Sequence, residues 1–180
     1  MSLLVLIARD VLTLSEMNNL PDFSSLIGVD ALKATFRRHA SGVAVITSAT
    51  DSGDPIGFTA TSVTSLGSNP PLVSFNIAQG SSSYAHLTPG KMVAIHTLGA
   101  ENLGLAKRMA GSKEERFSAK YVAGPESTPL FPEASSILLG RIRVRHEIES
   151  NAVVILDALT AYESSDAKPC LLYTSDAADE

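Results

Sequence analysis

Val43-Ala44-Val45-Ile46-Thr47-Ser48-Ala49-Thr50-Asp51-Ser52-Gly53-Asp54-Pro55-Ile56-Gly57-Phe58-Thr59-Ala60-Thr61-Ser62-Val63-Thr64 holds two runs, 43–50 and 56–64, rich in apolar and β-branched residues. Between them lie five residues of turn-forming type, 51–55. Val, Ile and Thr favour a pleated surface, and Gly and Pro interrupt it, so the stretch predicts a β-hairpin with a five-residue turn.

On the N-terminal side, Leu32, Ala34, Thr35 and Phe36 recur at helical spacing after Asp30, an N-cap candidate, and before Gly42, a stop. This predicts one short amphipathic helix over 31–40. On the C-terminal side Ser68-Asn69-Pro70-Pro71 breaks the chain, and 72–78 alternates as a strand with Leu72, Ser74 and Asn76 on one side. A serine-rich loop, 79–83, is followed by a helical turn at 84–87 and a strand at 92–98. Residues 102–110 then read as a helix turning Leu103, Ala106 and Met109 to the core, and 111–116 as an exposed connection. After the Pro-rich stretch 125–132, the long runs 136–148 and 152–162 read as paired antiparallel strands hinged at Glu149-Ser150-Asn151. Many closely spaced strands with few, short helices favour a mainly β fold, a closed or half-closed antiparallel β-barrel, over an alternating α/β fold. There is no internal repeat and no domain linker.

The 180 residues, 44% hydrophobic, suffice for one domain with a sizeable core. One cysteine makes no internal disulfide and has no zinc-site spacing, which fits a reducing cytoplasm. A net charge of −5 argues against a nucleic-acid surface, and the groups Arg37-Arg38 and Arg141, Arg143, Arg145 are too small to reverse that. The apolar run 3–8 is shorter than a signal-peptide core or a membrane span, so no membrane or targeting segment is expected. The last eleven residues, Cys170 to Glu180, resemble a translated sequencing adapter, and they are read as a non-native tail. Without Asp176, Asp179 and Glu180 the 19 acidic residues fall to 16 against 14 basic ones, for a charge of −2. Met17 is an alternative start, so 1–28 is read as an N-terminal extension and 29–169 as the domain.

Two clusters carry candidate chemistry. Residues 57–66 place small and hydroxyl residues in what should be a buried strand and its exit. Such a stretch lets a flat ligand lie against backbone, where N–H groups and hydroxyls meet the polar edge of a ring; a Thr-rich edge strand is the alternative reading. Ser81, Ser82 and Ser83 precede a helical turn, an arrangement that suits a phosphate or simply a flexible loop. Arg116, beside Phe117, could add a cation, or could be a solvated surface arginine.

The order of three segments carries a resemblance. They are Phe36-Arg37-Arg38-His39-Ala40-Ser41-Gly42-Val43-Ala44-Val45-Ile46-Thr47, then Gly57-Phe58-Thr59-Ala60-Thr61-Ser62, then Pro70-Pro71-Leu72-Val73-Ser74-Phe75. With the serine cluster, the 103–110 helix and Arg116-Phe117, this resembles the flavin reductase-like family from Leu32 to Tyr162. The resemblance implies an FMN-binding split β-barrel of Greek-key type, usually a homodimer. Such proteins use NADH or NADPH to reduce FMN or FAD, often for a partner monooxygenase. It further implies that Thr59, Ala60, Thr61 and Ser62 bind the isoalloxazine edge and ribityl chain. Asn76, Ser81, Ser82 and Ser83 would then lie along the ribityl phosphate, with Arg116 as the phosphate cation and Phe117 beside it.

The sequence departs from that family where its reductases commonly carry Gly-Asp-His, between the last two long strands. Here the position reads Glu149-Ser150-Asn151, and His146 is the nearest histidine. In a reductase the hydride passes from nicotinamide to flavin, so the protein need supply no acid, base or nucleophile, and no catalytic side chain is assigned. The departure keeps two alternatives in view: an FMN-binding carrier or sensor without nicotinamide turnover, and another split-barrel flavin or deazaflavin oxidoreductase. His39, His86 and His96 show no metal-ligand spacing and are assigned no role.

Overall fold

Both runs of the opening stretch are strands, in a computed structural model whose described residues are 26–163 and 171–173. The extension as far as residue 25, and the tail apart from 171–173, lie outside the described residues. The first element is a helix, α1 (Gly28–Phe36), so the helix expected over 31–40 begins three residues earlier and ends four earlier. Ile27 is its N-cap, and Asp30 lies within the first turn, where an acidic side chain complements the helix dipole. Leu32 and Phe36 are 60% and 55% exposed, and the Phe36 ring meets the His39 ring edge-on at 5.8 Å.

From Ala40 onward the chain is predominantly β. After β1 (Ala40–Gly42) come β2 (Ala44–Ala49), β3 (Pro55–Ala60), β4 (Thr64–Ser68), β5 (Pro71–Ala78) and β6 (Met92–Thr97). Two short helices follow, α2 (Leu103–Ala110) and α3 (Lys113–Arg116), then β7 (Val122–Ala123), β8 (Pro129–Leu130), β9 (Ser136–Ile148), β10 (Asn151–Glu163) and β11 (Leu171–Tyr173). Three expectations are corrected. The run 56–64 is not one strand, because β3 stops at Ala60 and β4 starts at Thr64 to pair with β5. The connection 111–116 contains α3, whose N-cap Ser112 donates both its N–H and its hydroxyl to the Glu115 carboxylate. Leu103 points outward at 42% exposure, and Leu105, Ala106 and Met109 form the buried face of α2.

Seven strands form one antiparallel sheet in the order β3-β2-β6-β9-β10-β5-β4. Its edge strands, β3 and β4, are joined by only Thr61, Ser62 and Val63. Laid flat, seven strands would separate those edges by about 29 Å, whereas four residue steps reach roughly 14 Å at most. The sheet must therefore roll up and bring its edges together. Phe58 of β3 and Phe75 of β5 meet edge-on across the resulting seam, 5.9 Å between ring centroids, and Asn76 N–H donates to Ser62 Oγ at 2.9 Å where the β4–β5 register runs on into the connection.

Strand alternation divides the core in two. Ala44, Ile46, Val93, Ile95, Phe75, Ile77, Val154 and Leu156 fill the inside of the roll. Val43, Val45, Met92, Ala94, Leu139 and Phe131 pack outside it, beneath α2. Strand β2 is buried on both faces, so its polar residues need partners inside the protein. Thr47 Oγ1 donates to Pro129 O at 2.6 Å and Ser48 Oγ to Met92 O at 2.6 Å. His96 on β6 is fully buried. Its Nε2 accepts from Phe131 N–H at 3.1 Å, which puts the ring proton on Nδ1, 3.0 Å from Val45 O. Burial pushes its pKa down to about 4, against the smaller opposing effect of the Val45 bond, so the ring is neutral. No described helix is long and apolar enough to cross a membrane.

Candidate functional site

The seam between β3 and β5 is where the candidate residues gather. On β3, Phe58 and Ala60 belong to the inner core, which turns Thr59 to the outer face. There Thr59 Oγ1 donates to Ala106 O of α2 at 2.7 Å. On β5 the inward Phe75 and Ile77 turn Asn76 outward, where it is exposed beside the exposed Thr61. Thr59, Ala60, Thr61, Ser62, Asn76 and Ser81 line one open depression of about 410 Å³, with Met109 in its wall and Arg116 at its side. That volume lies in the range of small-molecule sites.

Ser82, Ser83 and Phe117 line a second depression instead, of about 500 Å³, together with Lys113, His86 and again Arg116. Arg116 thus borders both. Its Nη1 donates to Gly57 O at 3.0 Å and to Ser82 Oγ at 3.1 Å, and its Nε to Gly111 O at 3.0 Å. All three acceptors are neutral. Arg141, Arg143 and Arg145 each form an ion pair, with Glu126, Asp157 and Glu147 respectively, but Arg116 forms none among the described residues. A half-buried guanidinium held only by neutral oxygens keeps its charge available to an anion.

The remaining candidates serve the frame more than the surface. Ser83 is 1% exposed, and its hydroxyl lies 3.5 Å from Gly57 O. The Phe117 ring stacks on Phe131, 6.3 Å between centroids at 16°, and meets Tyr121 edge-on. Sequence reasoning took Gly57 only as part of the 57–66 cluster, read Met109 as core, and gave Lys113 and His86 no role at the site. Lys113 could have been found from its three-residue spacing to Arg116, which puts both on one side of a helical turn. Gly57 is needed because any Cβ there would lie 2.6 Å from Ile46 O and 2.8 Å from Met109 Cε.

The hinge between the long strands is a two-residue turn, Glu149-Ser150, and Asn151 is the first residue of β10. Gln79 N–H donates to Ser150 O at 2.8 Å, tying this turn to the serine loop. His146 pairs with Val153, which pairs with Asn76, so the three form a row across β9, β10 and β5 on one face. Two strand spacings place His146 about 10 Å from Asn76. His146 is exposed.

Comparison with known proteins gives this geometry a context. The family described as "Flavin reductase like domain" matches residues 36–179. The chain is similar to an NADH:FMN oxidoreductase of Rhodococcus qingshengii, 45% identical over 98 residues, covering 54% of this chain and 50% of that one. It thus spans about half the length of that relative. Among solved structures it resembles a flavin reductase domain protein from Arthrobacter sp. FB24, with a TM-score of 0.75 and 39% identity, covering 79% of this chain and 89% of that one. It also resembles the NADH:FAD oxidoreductase of Streptomyces globisporus C-1027 in complex with NAD and FAD fragments. That match has a TM-score of 0.73 and 25% identity, and covers 82% of this chain and 92% of that one.

Proposed function

Because the chain belongs to the flavin reductase-like domain family, we propose that it is an oxidoreductase that passes a hydride from NADH or NADPH to FMN or FAD. The flavin ring lies in the depression along Thr59, Ala60, Thr61, Ser62 and Asn76, and the phosphate meets Arg116, with Ser81 and Ser82 beside it. The observation that carries this reading is Arg116: a cation without an ion pair among the described residues, fixed between the hydroxyl-lined depression and the serine loop. The residues present fit the group. Exposed Thr61 and Asn76 offer a hydroxyl and an amide to the carbonyls and nitrogens of a ring edge, and exposed Ala78 and Ala110, which line the same depression, offer apolar surface.

Flavin supplies the redox chemistry, accepting the hydride. The chain supplies position. Thr59, bonded to Ala106 O, and Ser62, bonded to Asn76 N–H, fix the strand exit that the ring lies against. Among the described residues Arg116 is the one ionisable group lining this depression, and none of them brings a carboxylate or imidazole to it for proton transfer. The open setting suits release of reduced flavin to a second protein, a monooxygenase. A homodimer is the proposed assembly, supported by Leu159 and Tyr162, both more than half exposed near the end of β10.

A second reading, flavin binding without nicotinamide turnover, is favoured by the turn Glu149-Ser150-Asn151, which offers no imidazole. One experiment separates the two: NADH and NADPH oxidation followed at 340 nm with and without FMN or FAD, in wild type and in Arg116→Ala. Flavin-dependent oxidation with a KM for FMN raised roughly tenfold or more in Arg116→Ala supports the proposal, as the loss of a charge-assisted contact predicts. FMN binding without oxidation would replace it with the carrier reading. A chromophore that stays bound through purification and turnover would favour another split-barrel flavin or deazaflavin oxidoreductase.

A further inference from the structure

The loop from Gln79 to Lys91 joins β5 to β6 and carries the serine cluster, yet it takes no part in the sheet ladder. It is a chain of tight turns. Ser81 N–H donates to Ala78 O, Tyr84 N–H to Ser81 O, His86 N–H to Ser83 O and Leu87 N–H to Tyr84 O. Each turn sets the next, so fixing the end of the series fixes the serines at its start. Arg116 and Gly57 hold the serine side.

The other side is held by Arg145 of β9. Its Nη1 donates to Tyr84 O at 2.9 Å and to Leu87 O at 3.2 Å, and its guanidinium stands 4.2 Å from the centroid of the Tyr84 ring. Glu147 closes the arrangement: its Oε1 accepts from Arg145 Nη2 at 3.2 Å and from the Tyr84 hydroxyl at 2.7 Å. That hydroxyl, with Arg145, holds the Glu147 carboxyl below the usual carboxylate range, so it is ionised at neutral pH. The Arg145 side chain is 17% exposed, and those of Arg141 and Arg143, earlier on the same strand, are 41% and 46% exposed. A planar fork that satisfies two carbonyls, a ring and a carboxylate at once defines position in a way a single ammonium cannot.

We infer that Arg145, clamped by Glu147 and Tyr84, is a positioning residue that sets the serine loop for the flavin phosphate. This rests on the reading of the Arg116 region as the phosphate seat. It predicts that Arg145 matters only for flavins that carry a phosphate. The test compares FMN with riboflavin, which has the same ring and no phosphate, in NADH oxidation by the full chain and in titrations of flavin fluorescence. In Arg145→Ala the KM and Kd for FMN rise roughly tenfold, the size of lost charge-assisted hydrogen bonds, and riboflavin's values shift far less. Arg145→Lys restores part of the difference. Arg143→Ala, on the same strand but paired with Asp157 away from the loop, leaves the FMN-to-riboflavin ratio at the wild-type value.

Equal losses for FMN and riboflavin in Arg145→Ala, or no loss for either, would overturn the inference. If Arg145→Ala does not fold, Tyr84→Phe replaces it and raises the FMN values alone by roughly threefold, as one lost hydrogen bond in the clamp predicts. A wild type that binds FMN no more tightly than riboflavin overturns the phosphate seat and the inference with it. A wild type that prefers FMN but oxidises no NADH overturns only the reductase reading, and the fluorescence titrations then decide the role of Arg145.

Discussion

Replacing Gly57 by alanine should damage stability and flavin binding together. The added methyl would sit 2.6 Å from Ile46 O, 2.8 Å from Met109 Cε and 3.1 Å from Thr47 Cγ2. The Met109 terminus can swing aside, but the Ile46 carbonyl belongs to β2, which is paired on one side with β3 and on the other with β6. Reaching an ordinary contact distance requires a shift of about 0.8 Å that both ladders resist. Overpacking of this kind costs about 1–3 kcal/mol, partly offset by about 0.4–1 kcal/mol from the stiffer unfolded chain. A net loss of about 1–2 kcal/mol lowers the Tm of a domain this size by roughly 2–8 °C. The Gly57 carbonyl also accepts from Arg116, so its displacement moves the guanidinium and should raise the KM for FMN several-fold. Thermal melts followed by circular dichroism, with FMN titrations below the transition, read both effects. A Tm within about 1 °C of wild type would show that β3 bows outward freely, and would refute the packing argument.

Acid should weaken the fold before the carboxylates titrate. His96 has its pKa depressed by burial from 6.5 to about 4, so the unfolded chain binds its proton first. The neutral ring's contribution is complete above pH 6.5 and is lost as pH falls towards 4, amounting to about 3 kcal/mol at most. Urea titrations at pH 7, 5.5 and 4.5 should show the decline, and a His96→Asn variant should start less stable and decline less between pH 6.5 and 5. Asn102→Ala should cost about 1–3 kcal/mol in the same assay. Its amide accepts from Gly99 N–H at 2.8 Å and donates to Glu133 O at 2.8 Å, leaving two groups without partners when it is removed.

Sequence reasoning reached the strands whose burial or turns leave a local mark. The hairpin around 51–55 stood out because β2 is buried on both faces and its turn is built of Asp, Ser, Gly and Pro. The pair β9 and β10 stood out by length. Strand β4 left no such mark, since all five residues are exposed and no apolar alternation survives. Helix α3 has four residues, too few for a period to register. At the site, seven of the ten candidates line one depression, because Thr59 to Ser62 are consecutive and face one seam. That Arg116 bridges Gly57 and Ser82 depends on three distant segments meeting, which residue types alone do not encode. The same holds for Ser83 and Phe117, whose burial only the packed structure defines.

The strand order carries a consequence for how the protein is made. The two strands at the middle of the sheet, β9 and β10, come late in the chain, and the hairpins β2–β3 and β4–β5 emerge from the ribosome well before them. Until residues 136–163 appear, β6 and β5 each lack the neighbour that completes their ladder, and their apolar inner faces have nothing to close against. At roughly 5–20 residues per second the interval between the end of β6 and the start of β9 lasts about 2–8 s. During that time two unjoined hydrophobic half-sheets are exposed, a period in which nascent-chain chaperones or slowed translation would matter more to yield than the stability of the finished barrel.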